Sequence, residues 1–182
     1  MVRRQDIIAI VLILVFGLCF VTGTTISIKK NGEKYTTQTI ETTISPKEKL
    51  EAILSTYEEE IIMMSKVLYR EARGIKDKAQ IAAVGWCILN RVDHPNHPDT
   101  IAEVIIEPEQ FAWEYDTPIE PELYYLSKDV VARWILEKYG KENVGRTLPK
   151  DWCFFVGDGE YNYFREEFES EEIWDWSYPS PY

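Results

Sequence analysis

Glu71 is the residue of this sequence best placed for acid–base chemistry. It follows Val67 and Leu68 in a stretch where Leu50, Ile53, Leu54, Tyr57, Ile61, Met64, Val67, Leu68 and Ala72 recur at helical spacing. A carboxyl on that apolar face, in the last turn of a helix, loses hydration and meets the negative end of the helix dipole. Both effects favour its neutral form. Arg70 and Arg73 are spaced so that they point to other parts of the helix surface. A carboxyl that keeps its proton near neutral pH is what a glycosidic oxygen requires of a general acid. The plainer alternative is a glutamate that only ties a following loop by hydrogen bonds.

Other residues could line a binding site. Gln110, Phe111 and Trp113 follow Pro108 in a loop. They make either a sugar-binding wall, with an amide for an N-acetyl group and rings for sugar faces, or core packing; Phe111 reads as core. Asn162 and Tyr163 stand near the end of a hairpin with the same two readings, and Phe164 reads as packing. Asn90 and Arg91 end a helix and are expected to fix the loop carrying His94 and His97. That histidine pair lacks a third ligand in sequence, so no metal is expected. Cys87 and Cys153 lie in apolar stretches without a neighbouring histidine, which argues against a nucleophile and for two buried free thiols over a disulfide. There is no C-x-x-C pair and no glycine-rich phosphate loop, so no cofactor is expected.

The elements that must position these residues are mostly helical. Ser45, Pro46 and Glu48 form a capping box with proline at the first helical position. The helix that follows is long, and a break between residues 55 and 60 is expected before a stop at Gly74. Residues 78–92 are apolar all round, the mark of a helix in the middle of a fold. Thr100 and Glu103 cap a short helix through Ile106, and residues 122–139 form one or two more, stopped by Gly140. Residues 152–156 and 160–164, around Gly157-Asp158-Gly159, read as a β-hairpin. The glutamates at 166, 167, 169, 171 and 172 read as a solvated face. The class is mainly α with a small β-hairpin (α+β).

Arg3 and Arg4 precede an apolar run over residues 7–21. A helix over residues 7–25 would be about 28 Å long, close to a bilayer core of about 30 Å. No small-residue cleavage pattern follows, so an uncleaved signal anchor is expected, with the remainder outside the cytoplasm. The organisation expected is an anchor over residues 1–25, a stalk over 26–45 with Asn31-Gly32 as a possible turn, and a catalytic domain over 46–182. A formal net charge of −11 argues against nucleic acid as the main partner. Recognition of a neutral or anionic polymer would then rest on stacking and hydrogen bonds, for which 6 Trp and 11 Tyr supply rings.

Residues 64–74, which contain Glu71-Ala72-Arg73-Gly74, are followed by Gln80-Ile81-Ala82-Ala83-Val84, Asn90-Arg91-Val92, Pro98-Asp99-Thr100-Ile101 and Gln110-Phe111. This order and spacing resembles the cell wall hydrolase family of the spore cortex-lytic enzymes (SleB/CwlJ type), over about residues 60–165. Ile75 departs from it, where the family often has an acid. The resemblance implies a lysozyme-like, lytic-transglycosylase-like domain that cuts the MurNAc–GlcNAc bond of peptidoglycan glycan strands, with Glu71 as acid and then base. A hydrolase would add a second carboxylate, for which Asp77, Glu103, Glu107, Glu109 and Asp116 are candidates. An amidase or peptidase of the same polymer, or a non-catalytic wall-binding module, are the alternatives. A spore, vegetative, prophage or mobile-element setting is left open.

Overall fold

The computed structural model describes the backbone of residues 23–27 and 37–41 and all of residues 44–182. The apolar run over residues 7–21 and the Asn31-Gly32 pair lie outside the described residues. The chain divides into two compact units, residues 1–51 and 52–182.

In the first unit, strands β1 (Gly23–Ser27) and β2 (Thr37–Glu41) pair antiparallel, with Gly23 opposite Glu41 and Ser27 opposite Thr37. Residues 23–25, expected to close the anchoring helix, are therefore strand. Helix α1 (Pro46–Leu54) opens on the expected capping box. The Ser45 N–H donates to Glu48 Oε2 at 2.8 Å, and the Glu48 N–H donates to Ser45 Oγ at 3.2 Å.

The second unit takes up the helical pattern. The expected break is a 3₁₀ turn over Ser55–Tyr57, after which α2 (Glu58–Glu71) begins. Helix α3 (Lys78–Asp93) starts at Asp77, whose carboxylate accepts from the Ala79 N–H. Short α4 (Ile101–Ile106) is capped by Thr100, and α5 (Pro121–Lys138) is one uninterrupted helix.

Helix α3 is the centre of the core, as its all-round apolar sequence requires. Ala82, Ala83, Val84, Trp86, Cys87, Ile88 and Leu89 are fully enclosed. Gly85 lets its neighbours come close. A Cβ there would stand 3.3 Å from Met64 Sδ on α2 and 3.3 Å from Val130 Cγ1 on α5. Asp93, at the end of α3, accepts from Trp134 Nε1 at 2.9 Å and pairs with Lys138, both on α5.

The hairpin consists of β3 (Phe154–Gly157) and β4 (Asn162–Arg165), with Phe155 opposite Phe164 and Gly157 opposite Asn162. It begins later than its β-rich sequence suggests, for a polar reason. The carbonyls of Trp152 and Cys153 are taken by the side chains of Asn90 and Arg91, so neither is free to pair with a strand. The turn is also wider. Asp158 Oδ1 accepts from the N–H groups of Glu160 and Tyr161, which holds this carboxyl below the usual carboxylate range. The five acidic residues at 166–172 are exposed, as expected. Beyond them the tail packs back on the unit. The Trp174 N–H donates to Phe164 O, its indole donates to Thr147 O, and the Trp176 ring meets Phe164 edge-on.

Asn90 ties this second half of the unit to α3. Its amide donates to Pro149 O at 2.6 Å and to Trp152 O at 2.8 Å, and its carbonyl accepts from both terminal nitrogens of Arg146 at 3.0 Å. Its target is therefore the segment at residues 146–152, not the histidine loop expected from the sequence. Asn90→Ala would leave Trp152 O and one terminal nitrogen of Arg146 without their partner, while Pro149 O keeps the Trp152 N–H and Arg146 keeps Glu137 and Leu148 O. We expect a loss of at least about 2 kcal/mol, since each buried unsatisfied group costs about 1–3 kcal/mol. Urea denaturation monitored by tryptophan fluorescence measures it.

Candidate active site

Glu71 is the last residue of α2, and it is half-buried rather than enclosed. Its side chain stands at the rim of the apolar face because the helix ends there: the Ala72 N–H returns to Leu68 O, and Gly74 follows with φ +97°. Glu71 Oε1 accepts from the Ala112 N–H at 2.5 Å, and Oε2 has no hydrogen-bond partner among the described residues. The bond to Ala112 is also one that a purely loop-tying glutamate would make. The unpartnered oxygen is what leaves room for chemistry. Half-burial removes the full enclosure on which the sequence argument relied, and it leaves the carboxyl accessible to a polymer.

Two walls flank the end of α2. One is the loop at residues 110–115. Besides the Ala112 bond, Arg70 Nη1 pairs with Glu114 Oε2 at 2.7 Å and Lys66 Nζ donates to Tyr115 O. The loop thus runs antiparallel along the last turns of α2. The other wall is the hairpin. A Cβ on Gly74 would stand 2.6 Å from Gly159 O, so the hairpin turn sits directly against the backbone that follows Glu71.

Arg91 joins the two walls from beneath. It is 4% exposed. Its Nε donates to Cys153 O at 2.7 Å, at the foot of the hairpin, and its Nη1 donates to Gln110 Oε1 at 2.7 Å, at the foot of the loop. The Phe111 and Phe154 rings lie 4.8 and 5.2 Å from its guanidinium carbon.

The structure sorts the expected site residues by this geometry. Gln110 is half-buried and its carbonyl oxygen is committed to Arg91. Trp113 is half-buried beside Glu71's loop contact, with Lys66 Nζ 5.6 Å from its ring centroid. Asn162 and Tyr163 do not share a wall, because neighbours on a strand face opposite ways. Asn162 lies on the inner face with Phe155 and Phe164, 3% exposed. Its backbone N–H donates to Gln80 Oε1 at 3.2 Å, while its side-chain amide has no partner among the described residues. A buried amide in that state needs a partner from water or from a bound group. Tyr163 lies on the outer face, exposed, and its hydroxyl donates to Asp158 Oδ2 at 2.8 Å. Phe111 and Phe164 are core, as expected.

The second-carboxylate candidates divide similarly. Asp77 and Glu103 are occupied in helix caps, and Glu107 Oε2 lies 3.8 Å from His97 Nδ1. Glu109 adopts φ +62° just before Gln110. No cluster of three or more metal-ligating side chains occurs among the described residues. Cys87 and Cys153 are free buried thiols. Burial pushes them up to about 12 and about 11, and Arg91 opposes the shift in both. Neither is a nucleophile near neutral pH. Sequence reasoning missed Lys66 and Tyr115. The signal for Lys66 was a lysine set among the apolar residues of α2.

The described second unit is a helical domain with two walls beside one accessible glutamate. Residues 76–167 match the family model described as Cell Wall Hydrolase, which covers half of the chain. The chain belongs to this family, the one that contains the SleB/CwlJ-type spore cortex-lytic enzymes, and it is a peptidoglycan-degrading hydrolase. No curated protein and no solved structure matches it. The matched region includes both walls and Arg91 and begins after Glu71.

The Gly74–Gly159 contact can be tested against Gly140, which also has positive φ (+80°) but open space around it. Gly140→Ala meets only the backbone strain, whereas Gly74→Ala also drives a methyl into a carbonyl. We expect Gly74→Ala to destabilise by at least about 1 kcal/mol more than Gly140→Ala, a comparison made by thermal denaturation.

Proposed function

We propose that the chain cleaves the MurNAc–GlcNAc glycosidic bond of peptidoglycan, acting as a lytic transglycosylase of muramidase type with Glu71 as the single acid/base. The observation that carries this reading is the state of Glu71 at the end of α2. One carboxyl oxygen is held by a backbone amide, the other has no hydrogen-bond partner among the described residues, and a wall stands on either side.

Protonated Glu71 gives its proton to the bridging oxygen as the bond from that oxygen to C1 of MurNAc breaks. The carboxylate then takes the proton of the MurNAc C6 hydroxyl as that oxygen bonds to C1. The products are a 1,6-anhydro end and a free GlcNAc hydroxyl, and Glu71 ends protonated again with no water consumed. The Ala112 N–H fixes the rotation of the carboxyl throughout and cannot itself accept a proton. A hydrolytic route would add a second carboxylate to direct water. The Trp113 ring suits a sugar face, while the enclosed Asn162 amide lies out of reach of a polymer. Gln110 serves by holding the loop on Arg91.

The same reading puts the catalytic domain outside the cytoplasm, tethered to the membrane by the segment before β1. Its support is the apolar run at residues 7–21 behind Arg3 and Arg4. Among the described residues no helix is long and apolar enough to cross a membrane.

The test is turbidity loss of purified peptidoglycan by the full chain. Glu71→Gln keeps an acceptor for the Ala112 N–H but has no proton to give, and we expect the rate to fall by roughly a hundredfold or more. Equal rates for the two proteins would remove Glu71 from the mechanism.

A further inference from the structure

Lys66 projects from α2, five residues before Glu71, and is 8% exposed. A buried ammonium is costly unless its charge is met. No carboxylate meets it among the described residues. Its ammonium instead donates to Tyr115 O and lies 5.0 Å from the Tyr115 ring centroid and 5.6 Å from that of Trp113. A carbonyl and two ring faces therefore stabilise the charge.

Of the three ties between α2 and the loop at residues 112–115, this is the enclosed one. The Arg70–Glu114 pair is solvent-exposed on both sides, and such pairs contribute little. Tyr115 is 87% exposed, the most exposed large hydrophobic side chain among the described residues. Its ring is almost wholly open apart from the Lys66 ammonium, and it stands on the same loop as Trp113 and as Ala112, whose N–H binds Glu71.

We infer that Lys66 is a positioning residue whose ammonium holds the Trp113 and Tyr115 rings as a preformed stacking surface for the sugar rings of the glycan, with Tyr115 a direct sugar contact. This rests on the glycan-cleaving reading above. A ring fixed before the substrate arrives loses less rotamer freedom on binding, so the effect belongs in KM.

The test compares the full chain with Lys66→Met, Lys66→Arg and Tyr115→Ala on soluble glycan strands, alongside retention of each on insoluble peptidoglycan in a Glu71→Gln background. Lys66→Met keeps the aliphatic stem without the charge. We expect it to raise KM roughly fivefold with kcat within roughly twofold, and Lys66→Arg to restore most of the loss. Tyr115→Ala is expected to raise KM to a similar extent with an unchanged melting temperature, so it decides the matter even if Lys66→Met does not fold. Wild-type KM in Tyr115→Ala, or a loss confined to kcat in Lys66→Met, overturns the inference. An inactive wild-type chain would instead count against the cleavage reading, and the retention assay would still show whether the platform binds glycan.

Discussion

The site depends on one buried cation. Arg91 has no carboxylate partner among the described residues. It is satisfied by two acceptors far apart in sequence, Cys153 O and Gln110 Oε1, with two phenylalanine rings beside it. Charge-assisted bonds to neutral acceptors are strong when desolvated, and an arginine's rigid fork fixes the angle between them. The hairpin and the loop that flank Glu71 are therefore set relative to each other by the planar guanidinium at the end of α3. Asn90, one residue earlier, does the same for the segment that leads into the hairpin.

Glu71, the proposed acid/base, comes from a different helix, and it meets this frame through small, directional contacts. Gly74 allows the hairpin turn to lie against the chain just after α2, and the Ala112 N–H reaches back to the carboxyl. Phe111 of the loop also meets Phe155 of the hairpin, ring to ring at 6.3 Å. Polar bonds, ring–cation contacts and this ring pair together hold the two walls. The chain as a whole is strongly acidic, and the α2 cations Lys66 and Arg70 are engaged in holding the loop.

The helical frame was legible because its signals are local. Ser45 and Glu48, Thr100 and Glu103, and the apolar face through Leu68 each act within a few residues, and the structure places them as read. Phe111 and Phe164 as core, and the two free thiols, followed from apolar surroundings alone. What could not be read is what depends on contacts across more than forty residues. Asn90 was expected to hold the histidine loop but reaches residues 149 and 152, a distance that only the folded chain closes. The start of the hairpin moved for the same reason, since side chains from α3 take the carbonyls of Trp152 and Cys153. Tyr163 is a different case: it was paired with Asn162 as a wall residue, although the local alternation of a strand already separates the two. The long-range set of Lys66, Trp113 and Tyr115 left only a lysine among apolar residues as its trace.

The central claim is which bond of the polymer is broken, and mass spectrometry of the fragments released from purified peptidoglycan by the full chain tests it most directly. The account predicts muropeptides ending in 1,6-anhydro-MurNAc with their stem peptides attached. Free stem peptides beside intact glycan strands would contradict it.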